Sequence, residues 1–169
     1  MRRIALTCLA VLASSACSRA APSATARRVE LGLTFTEEEH SKDSHTRVTT
    51  CRLVDGVLSR TRTWSGYHPD GPPRPTTERA RLDDAELTAL IERIKTAGLE
   101  RPAISEAGTL GGPGTIVTID LRVVLDGVDA RSRSVLRRAW SDDDPATPAL
   151  HTALHDLVAE LDRLMRRQR

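Results

Sequence analysis

The segment from Val117 to Arg137 is the part of the chain whose fold its residues constrain most tightly. It carries Asp126-Gly127 between two β-rich runs, and an Asp-Gly pair readily adopts the positive φ angles of a two-residue type I′ turn. With that turn, one face pairs Val117, Ile119, Leu121, Val123 and Leu125 with Leu136, Ser134, Ser132, Ala130 and Val128, and the other face collects Asp120, Arg122, Asp129, Arg131, Arg133 and Arg137. The sequence therefore predicts an antiparallel hairpin with one core face and one charged, solvent-facing side.

Two further stretches have the composition of strands. Residues 29–35 alternate apolar side chains with polar ones or glycine, which is the period of a half-buried strand. Residues 47–64 carry Asp55-Gly56 between two β-rich runs and predict another hairpin. The charged residues 37–45 between these stretches are expected to form a loop. Cys51 lies in a strand-like run and is expected to be a small buried apolar side chain.

Two helices complete the set of expected elements. The first opens with Asp83 as N-cap and Glu86 three residues later, a capping-box arrangement, and Gly98 stands where a helix commonly ends. The second begins near Thr147-Pro148 and extends to about Arg166. Its apolar stripe consists of Leu150, Leu154, Leu157, Val158, Leu161, Leu164 and Met165.

These elements predict a single α+β domain over residues 29–169. The expected architecture is an antiparallel sheet of about five strands, in the order strand, hairpin, helix, hairpin, helix, with two helices packed on one face. Over residues 29–165 this element order resembles that of emfourin-like bacterial inhibitors of thermolysin-type proteases. The resemblance implies a scaffold only, because no inhibitory motif of that family can be matched residue by residue.

The N-terminus predicts export. Arg2 and Arg3 precede an apolar run of about ten residues, which is too short to span a bilayer and is typical of a signal peptide over residues 1–16. The residues Ser14-Ser15-Ala16-Cys17 resemble the lipobox of bacterial lipoproteins, although Ser14 stands where that family usually carries a branched apolar residue. The resemblance implies acylation of Cys17, with residues 17–28 as a flexible tether. The alternative is cleavage after Ala20 and release as a soluble periplasmic or secreted protein.

Charge and cysteine content exclude several function classes. Arg2, Arg3 and Arg19 are three of the 25 basic residues, so cleavage after Ala20 leaves 22 basic against 23 acidic side chains. This balance gives no electrostatic basis for binding nucleic acid. Cys8 is lost with the signal and a lipidated Cys17 is a thioether, so Cys51 would be the only remaining thiol and no intramolecular disulfide is expected.

Three polar clusters contain side chains of the types that bind metal ions. His151 and His155 are spaced i, i+4 with Asp156 nearby, but they lie off the apolar stripe and predict a solvated helix flank. The acidic and histidine side chains at positions 37–40, 43 and 45 lack the spacing of a calcium loop and predict a charged hairpin tip. The run Asp142-Asp143-Asp144 precedes the last helix, where its charge meets the positive end of the helix dipole. No metal or cofactor is therefore expected.

No catalytic motif is present, so the chain is not expected to be an enzyme. The glycine-rich residues 108–114 precede a strand and lack the lysine of a P-loop, which predicts a flexible connection. No serine stands in a nucleophile elbow, and Cys51 has no identifiable base.

The candidates for partner contact are Trp64, Tyr67 and His68, beside the prolines of residues 69–75, while Trp140 is expected to cover the core. The sequence predicts an exported, lipid-anchored, non-catalytic envelope protein. The alternative is a secreted protease-inhibitor-like or ligand-binding module that uses the Trp64–Pro75 loop.

Overall fold

The computed structural model describes residues 29–140 and 146–167. Seven strands and two helices follow one another along this part of the chain. They are β1 (Val29–His40), β2 (His45–Val54), β3 (Val57–Gly66), β4 (Thr76–Arg81), α1 (Asp84–Thr96), β5 (Ala103–Ala107), β6 (Gly114–Leu125), β7 (Val128–Ala139) and α2 (Ala149–Arg167).

The strands form one mixed sheet in the order β4-β3-β2-β1-β6-β7-β5. All neighbours are antiparallel except β5, which runs parallel to β7. The prediction of an antiparallel sheet of about five strands with two helices on one face is therefore wrong. Its error lies at the two edges, because β4 and β5 are the strands that the sequence analysis did not find.

The two missed strands carry little apolar signal. β4 has the sequence TTERAR, in which Ala80 is the only buried residue. β5 has only five residues, and its exposed Ile104 gives it an apolar side chain on the solvent side. Neither strand shows the alternation of large apolar residues that predicts β1 and β6 from the sequence.

Both predicted hairpins form with two-residue turns. Asp55-Gly56 and Asp126-Gly127 have positive φ angles at both positions, as a type I′ turn requires. The register of the second hairpin is confirmed, with Ile119 opposite Ser134 and Leu125 opposite Val128. The first strand extends five residues beyond Phe35, because residues 36–39 pair with both β2 and β6 and His40 pairs with β6. The predicted loop over residues 37–45 is therefore wrong in its extent and is limited to residues 41–44.

Local signals set both ends of α1. The Asp83 side chain accepts a hydrogen bond from the backbone N–H of Glu86, and the Glu86 side chain accepts one from the backbone N–H of Asp83. At the other end, the N–H of Leu99 donates to the Ile94 carbonyl and the N–H of Gly98 to the Lys95 carbonyl. These bonds make a Schellman motif, so the predicted capping box and helix stop are both confirmed.

The core joins apolar side chains of the sheet to those of both helices. Its largest fully buried members include Leu31, Leu33, Leu53, Leu58, Leu90, Ile94, Ile119, Leu154, Leu157 and Leu161. Cys51 is buried among them as predicted, with a free thiol. One cation also lies in this layer: Arg60 of β3, whose side chain is 2% exposed, bonds Glu78 of β4 and Asp162 of α2.

The connections that follow β1, β3, β5 and β7 all lie at the same end of the sheet. Because β1, β3, β5 and β7 all run toward this end, it carries residues 41–44, 67–75 and 108–113, together with Trp140, which follows β7. We call it the loop end. Val29, the first described residue, lies at the opposite end.

Candidate functional site

A groove of about 870 Å³ opens at the loop end, between the sheet and the first turns of α2. Apolar side chains from three strands and the residue after β7 form part of its lining: Phe35, Val117, Leu136, Ala139 and Trp140. Polar side chains from the strands, from α2 and from the residues just before α2 complete it: Glu37, Arg47, Thr115, Arg138, Thr147, His151, Thr152 and His155. Its volume lies within the range typical of small-molecule sites.

His151 is the buried polar group of this groove. It is 5% exposed, and its Nδ1 lies 3.0 Å from the hydroxyl of Ser134 on β7. Ser134 is fully buried and also hydrogen-bonds Ser105 of β5 at 2.9 Å. A chain of polar groups thus runs from the edge strand to the groove. Since Nδ1 is engaged by Ser134, Nε2 is the ring nitrogen left for a bound molecule.

The prediction that His151 lies on a solvated flank is wrong. The buried stripe of α2 is set by Leu154, Leu157, Leu161 and Leu164, and His151 precedes Leu154 by one helical turn on the same side. Leu150, the first residue of the predicted stripe, is only partly buried. Ser134 on the facing strand makes a polar side chain acceptable there. His155 is exposed, as predicted.

The surroundings of His151 disfavour its charged form. Burial lowers the pKa of His151 below its usual value, and the nearby positive charges of His155 and Arg138 lower it further. A neutral imidazole and a neighbouring guanidinium therefore coexist at this point of the groove.

We expect this shift to appear in the pH dependence of stability. As pH falls, His151 is protonated at a higher pH in the unfolded chain than in the folded protein. The contribution of neutral His151 to the free energy of unfolding is therefore complete above about pH 6.5, and it is lost on acidification toward the lower folded-state pKa. Urea unfolding followed by circular dichroism should show that the free energy of unfolding falls more steeply in wild type than in His151→Gln between about pH 7.5 and pH 5. Parallel profiles for the two proteins would contradict a lowered pKa.

The rim of the groove holds charged groups that are already oriented. The Arg47 guanidinium pairs with the Glu37 carboxylate across β1 and β2. Arg138 donates a hydrogen bond of 3.2 Å to the hydroxyl of Thr147, just before α2. The ring of His155 stands edge-on to Phe35, with a centroid separation of 6.4 Å. Arginine and histidine side chains therefore outnumber the single carboxylate among the described lining residues.

Trp140 is not a lid on the core, and that prediction is wrong. The residue follows β7 directly, its N–H donates to the Pro113 carbonyl at 3.0 Å, and 60% of its surface is exposed. Its ring lines the groove. The backbone bond ties the end of β7 to the 108–113 connection, so the ring is presented to solvent on an anchored backbone.

The predicted contact residues form a second aromatic cluster at the loop end. Trp64 stacks on His45 with ring centroids 4.4 Å apart and meets His68 edge-on at 5.4 Å. The Trp64 indole N–H donates to the Tyr67 carbonyl at 3.4 Å. Trp64 is half-buried, whereas Tyr67 is 53% exposed. Trp64 thus supports the loop, and Tyr67 is its exposed ring.

The loop end collects more histidine than the sequence analysis anticipated. All five histidines of the chain lie there: His40, His45, His68, His151 and His155. The prediction that the side chains at positions 37–40, 43 and 45 form a charged hairpin tip is only partly correct, because residues 37–40 belong to β1 and His45 to β2, which leaves Asp43 at the tip. Among the residues that the structure describes, no three histidine, cysteine or acidic side chains are grouped so as to hold a metal ion.

Two buried groups could serve as nucleophiles by composition: the hydroxyl of Ser134, beside His151, and the thiol of Cys51. Ser134 and His151 are at hydrogen-bonding distance, but Ser134 has no exposed surface through which a substrate could reach it. Burial, with the charge of Asp162, raises the pKa of Cys51 to about 11. A thiol with this pKa is protonated and unreactive at neutral pH.

Four predicted features lie outside the described residues: the signal peptide of residues 1–16, the acylation site Cys17, the tether of residues 17–28, and the run Asp142-Asp143-Asp144. The glycine-rich residues 108–113 connect β5 to β6, as expected. No helix in residues 29–140 or 146–167 has the length and apolar character needed to cross a bilayer. A scan against protein-family models and a search of curated proteins both found no match to this chain.

Proposed function

We propose that this chain is an exported, lipid-anchored, non-catalytic protein of the cell envelope, and that it binds a ligand in the loop-end groove. The observation that carries the binding role is the groove itself, about 870 Å³ in volume, in which an apolar patch on the sheet adjoins polar side chains of the strands and of α2. That combination is typical of ligand sites. The anchor is supported by the signal-peptide pattern that ends at Cys17.

The strand directions fit such an anchor. Val29 starts β1 at the end of the sheet opposite to the groove. A lipid on Cys17 would therefore be joined to the domain at the far end from the groove. Because the tether of residues 17–28 is expected to be flexible, this attachment leaves the groove free to face either the surrounding compartment or the bilayer.

Intact mass tests the anchor. We expect the protein purified from membranes to begin at Cys17 and to carry a diacyl or triacyl adduct, and we expect Cys17→Ser to abolish both features. An unmodified chain beginning near Ala21, in the soluble fraction, would contradict lipid anchoring and leave the binding role to be tested separately.

Binding in the groove is tested with N-phenylnaphthylamine, a neutral apolar dye that fluoresces when it leaves water. We expect wild type to bind the dye and Trp140→Ala to bind it at least about tenfold more weakly, because the variant loses the largest ring of the lining. Trp140 is exposed, so the melting temperature should barely change.

Tyr67→Ala is the matched control, since it removes another exposed ring of the loop end that is not among the groove lining. Dye binding should be unchanged. Absence of binding by wild type, or equal binding by wild type and Trp140→Ala, would contradict the proposed groove.

A second candidate uses the Trp64–Pro75 loop as the contact segment of a protease-inhibitor-like or ligand-binding module. The exposed ring of Tyr67, on a loop supported by the stacked Trp64, favours it. Titration against a thermolysin-type protease distinguishes the two candidates. Inhibition that is lost in Tyr67→Ala and kept in Trp140→Ala would favour the loop, and absence of inhibition would remove the inhibitor candidate.

A further inference from the structure

The face of the sheet that is turned away from the core carries a row of arginines, and we call this face the outer face. Its side chains alternate along each strand with those of the core. Direct cross-strand partners form one row over six strands, from β4 to β7: Arg79, Ser59, Arg52, Gly32, Arg122 and Arg131. All four arginines are exposed, and the row contains no acidic residue. This arginine row crosses about 24 Å of the sheet, at the usual strand spacing.

Most of the charge in the arginine row is not neutralised within the fold. Arg122 pairs with Asp129 at 2.9 Å. Arg52, Arg79 and Arg131 make no ion pair or side-chain hydrogen bond with any residue that the structure describes. Arg122 and Arg131 are also direct cross-strand neighbours, and like charges in that position repel each other. An external anion would relieve this repulsion.

A shallow depression of about 150 Å³ lies at the centre of the arginine row. Gly32 forms its floor, and a Cβ there would meet no atom within 4 Å, so packing does not explain a glycine at this position. The lining includes Arg52 and Arg122 on the two neighbouring strands, together with the hydroxyl side chains Thr34 and Thr50. A phosphate group at this point would have guanidinium groups and hydroxyls as donors. Among the described lining residues, Glu30 is the only carboxylate.

The charge excess belongs to the part of the outer face near Val29. The arginine row and the rows on either side of it carry six arginines, at positions 52, 79, 81, 122, 131 and 133, against the three carboxylates Glu30, Asp120 and Asp129. Toward the loop end, Glu38 and Glu106 reduce the excess. The hairpin turns beside Val29 carry Asp55 and Asp126. An anionic surface would therefore meet this part of the sheet by its face rather than by its turns.

We propose that the outer face docks on the anionic headgroup surface of a bilayer, with headgroup phosphates against Arg52, Arg79, Arg122 and Arg131. The position of the tether supports this partner. Val29 is three residues from Gly32, so the chain enters the domain within about 10 Å of the arginine row. A flexible tether over residues 17–28 has a root-mean-square length of about 20 Å. A lipid on Cys17 would thus hold the row close to the bilayer.

Docking in this way also orients the groove. The groove lies on the core side of the sheet, between the sheet and α2, so it would face away from the bilayer. The inference rests on the lipid anchor of the proposed function. Its test uses unlipidated protein, so that the anchor and the docking face can fail separately.

Vesicle binding of residues 21–169, the product of cleavage after Ala20, measures the docking. This chain contains every described strand and helix. We expect it to bind vesicles that contain phosphatidylglycerol at least about tenfold more tightly than vesicles of phosphatidylcholine alone. Arg52→Gln/Arg131→Gln should lower the affinity for the anionic vesicles at least about tenfold, because each arginine near an anionic surface contributes about fivefold. Both residues are exposed, so the melting temperature should barely change.

Two further variants separate the docking face from net charge. Arg166→Gln/Arg167→Gln removes the same charge from exposed positions of α2, on the other side of the sheet. Its affinity should change less than about twofold, because charges beyond a Debye length from the surface are screened. Gly32→Glu keeps every arginine but places a carboxylate in the middle of the row. We expect it to bind the anionic vesicles at least about fivefold more weakly than wild type.

Equal affinity of wild type for the two kinds of vesicle would overturn the proposed partner. Equal weakening in the two double-arginine variants would show dependence on net charge alone and would overturn the assigned face. Full affinity in Gly32→Glu would overturn the depression as a headgroup contact. Release from the vesicles by inorganic phosphate at constant ionic strength would show that the depression takes a free phosphate ion, and it would overturn the bilayer as the source of the anion.

Discussion

Glu78→Gln/Asp162→Asn is expected to lose about 3–5 kcal/mol of unfolding free energy, because it leaves the guanidinium of Arg60 buried without a counter-charge. The Arg60 side chain is 2% exposed. Its Nε donates to Glu78 Oε2 at 2.9 Å, and its other nitrogens bond Glu78 and Asp162. These bonds connect β3 to β4 and to α2, the helix that forms one wall of the groove.

The same background provides the internal test. Adding Arg60→Met removes the buried charge and fills most of its volume, so the triple variant should recover most of the lost stability. Arg62→Gln is the control, because Arg62 pairs with the same Asp162 at 3.3 Å but is 43% exposed. It should cost less than about 1 kcal/mol.

Urea unfolding of the four proteins gives the result. A double variant within about 1 kcal/mol of wild type would show that Arg60 does not depend on these two carboxylates. A triple variant less stable than the double variant would show that the guanidinium is stabilising even without them.

Gly108→Ala is expected to lose roughly 2–5 kcal/mol, as the sum of backbone strain and a steric clash. Gly108 has a φ of +76°, which is unfavourable for alanine. A Cβ at this position would also lie 1.9 Å from the carbonyl oxygen of Arg137. The end of β5 and the 108–113 connection would have to move away from β7.

Gly98→Ala separates the two effects. Gly98 has a similar φ of +69°, but a Cβ there would meet no atom within 4 Å. This variant should lose only the strain, about 1–2 kcal/mol. Equal losses in the two variants, measured by thermal and urea unfolding, would contradict the close approach of Gly108 to β7.

The elements that the sequence predicts correctly are those that several local signals specify at once. The hairpin at Asp126-Gly127 combines turn residues with a sorted pattern on both strands, and its register is confirmed. The capping box at Asp83 and the Schellman motif at Gly98 fix α1 in the same way. Such short-range chemistry does not depend on the rest of the fold.

The edge strands could not be predicted, because tertiary pairing stabilises them. β4 is held by its hydrogen bonds to β3 and by the bonds of Arg60 to Glu78, and β5 pairs with β7 in parallel. Parallel pairing needs a crossover connection, and α1 lies between β4 and β5 in the chain. Nothing in the sequence of β5 indicates which strand it joins.

The groove was missed for a related reason. Its residues come from β1, β2, β6, β7 and α2, which are far apart in the sequence. His151 looked solvated because its partner Ser134 is contributed by another strand. The sequence predicts that Trp140 covers the core and that Trp64 is available for partner contact, whereas in the structure Trp140 is exposed and Trp64 is half-buried. The sequence does not determine the strand directions, and these directions place the connections together at the loop end.

The central claim is that the groove binds a ligand, and the most direct test is nuclear magnetic resonance of the isotope-labelled protein titrated with N-phenylnaphthylamine. We expect the shifts to concentrate on the indole N–H of Trp140 and the ring of His151, while the indole N–H of Trp64 stays unmoved. Shifts centred on Trp64 and Tyr67 would place binding on the loop, and shifts absent from Trp140 and His151 would contradict the groove as the binding site.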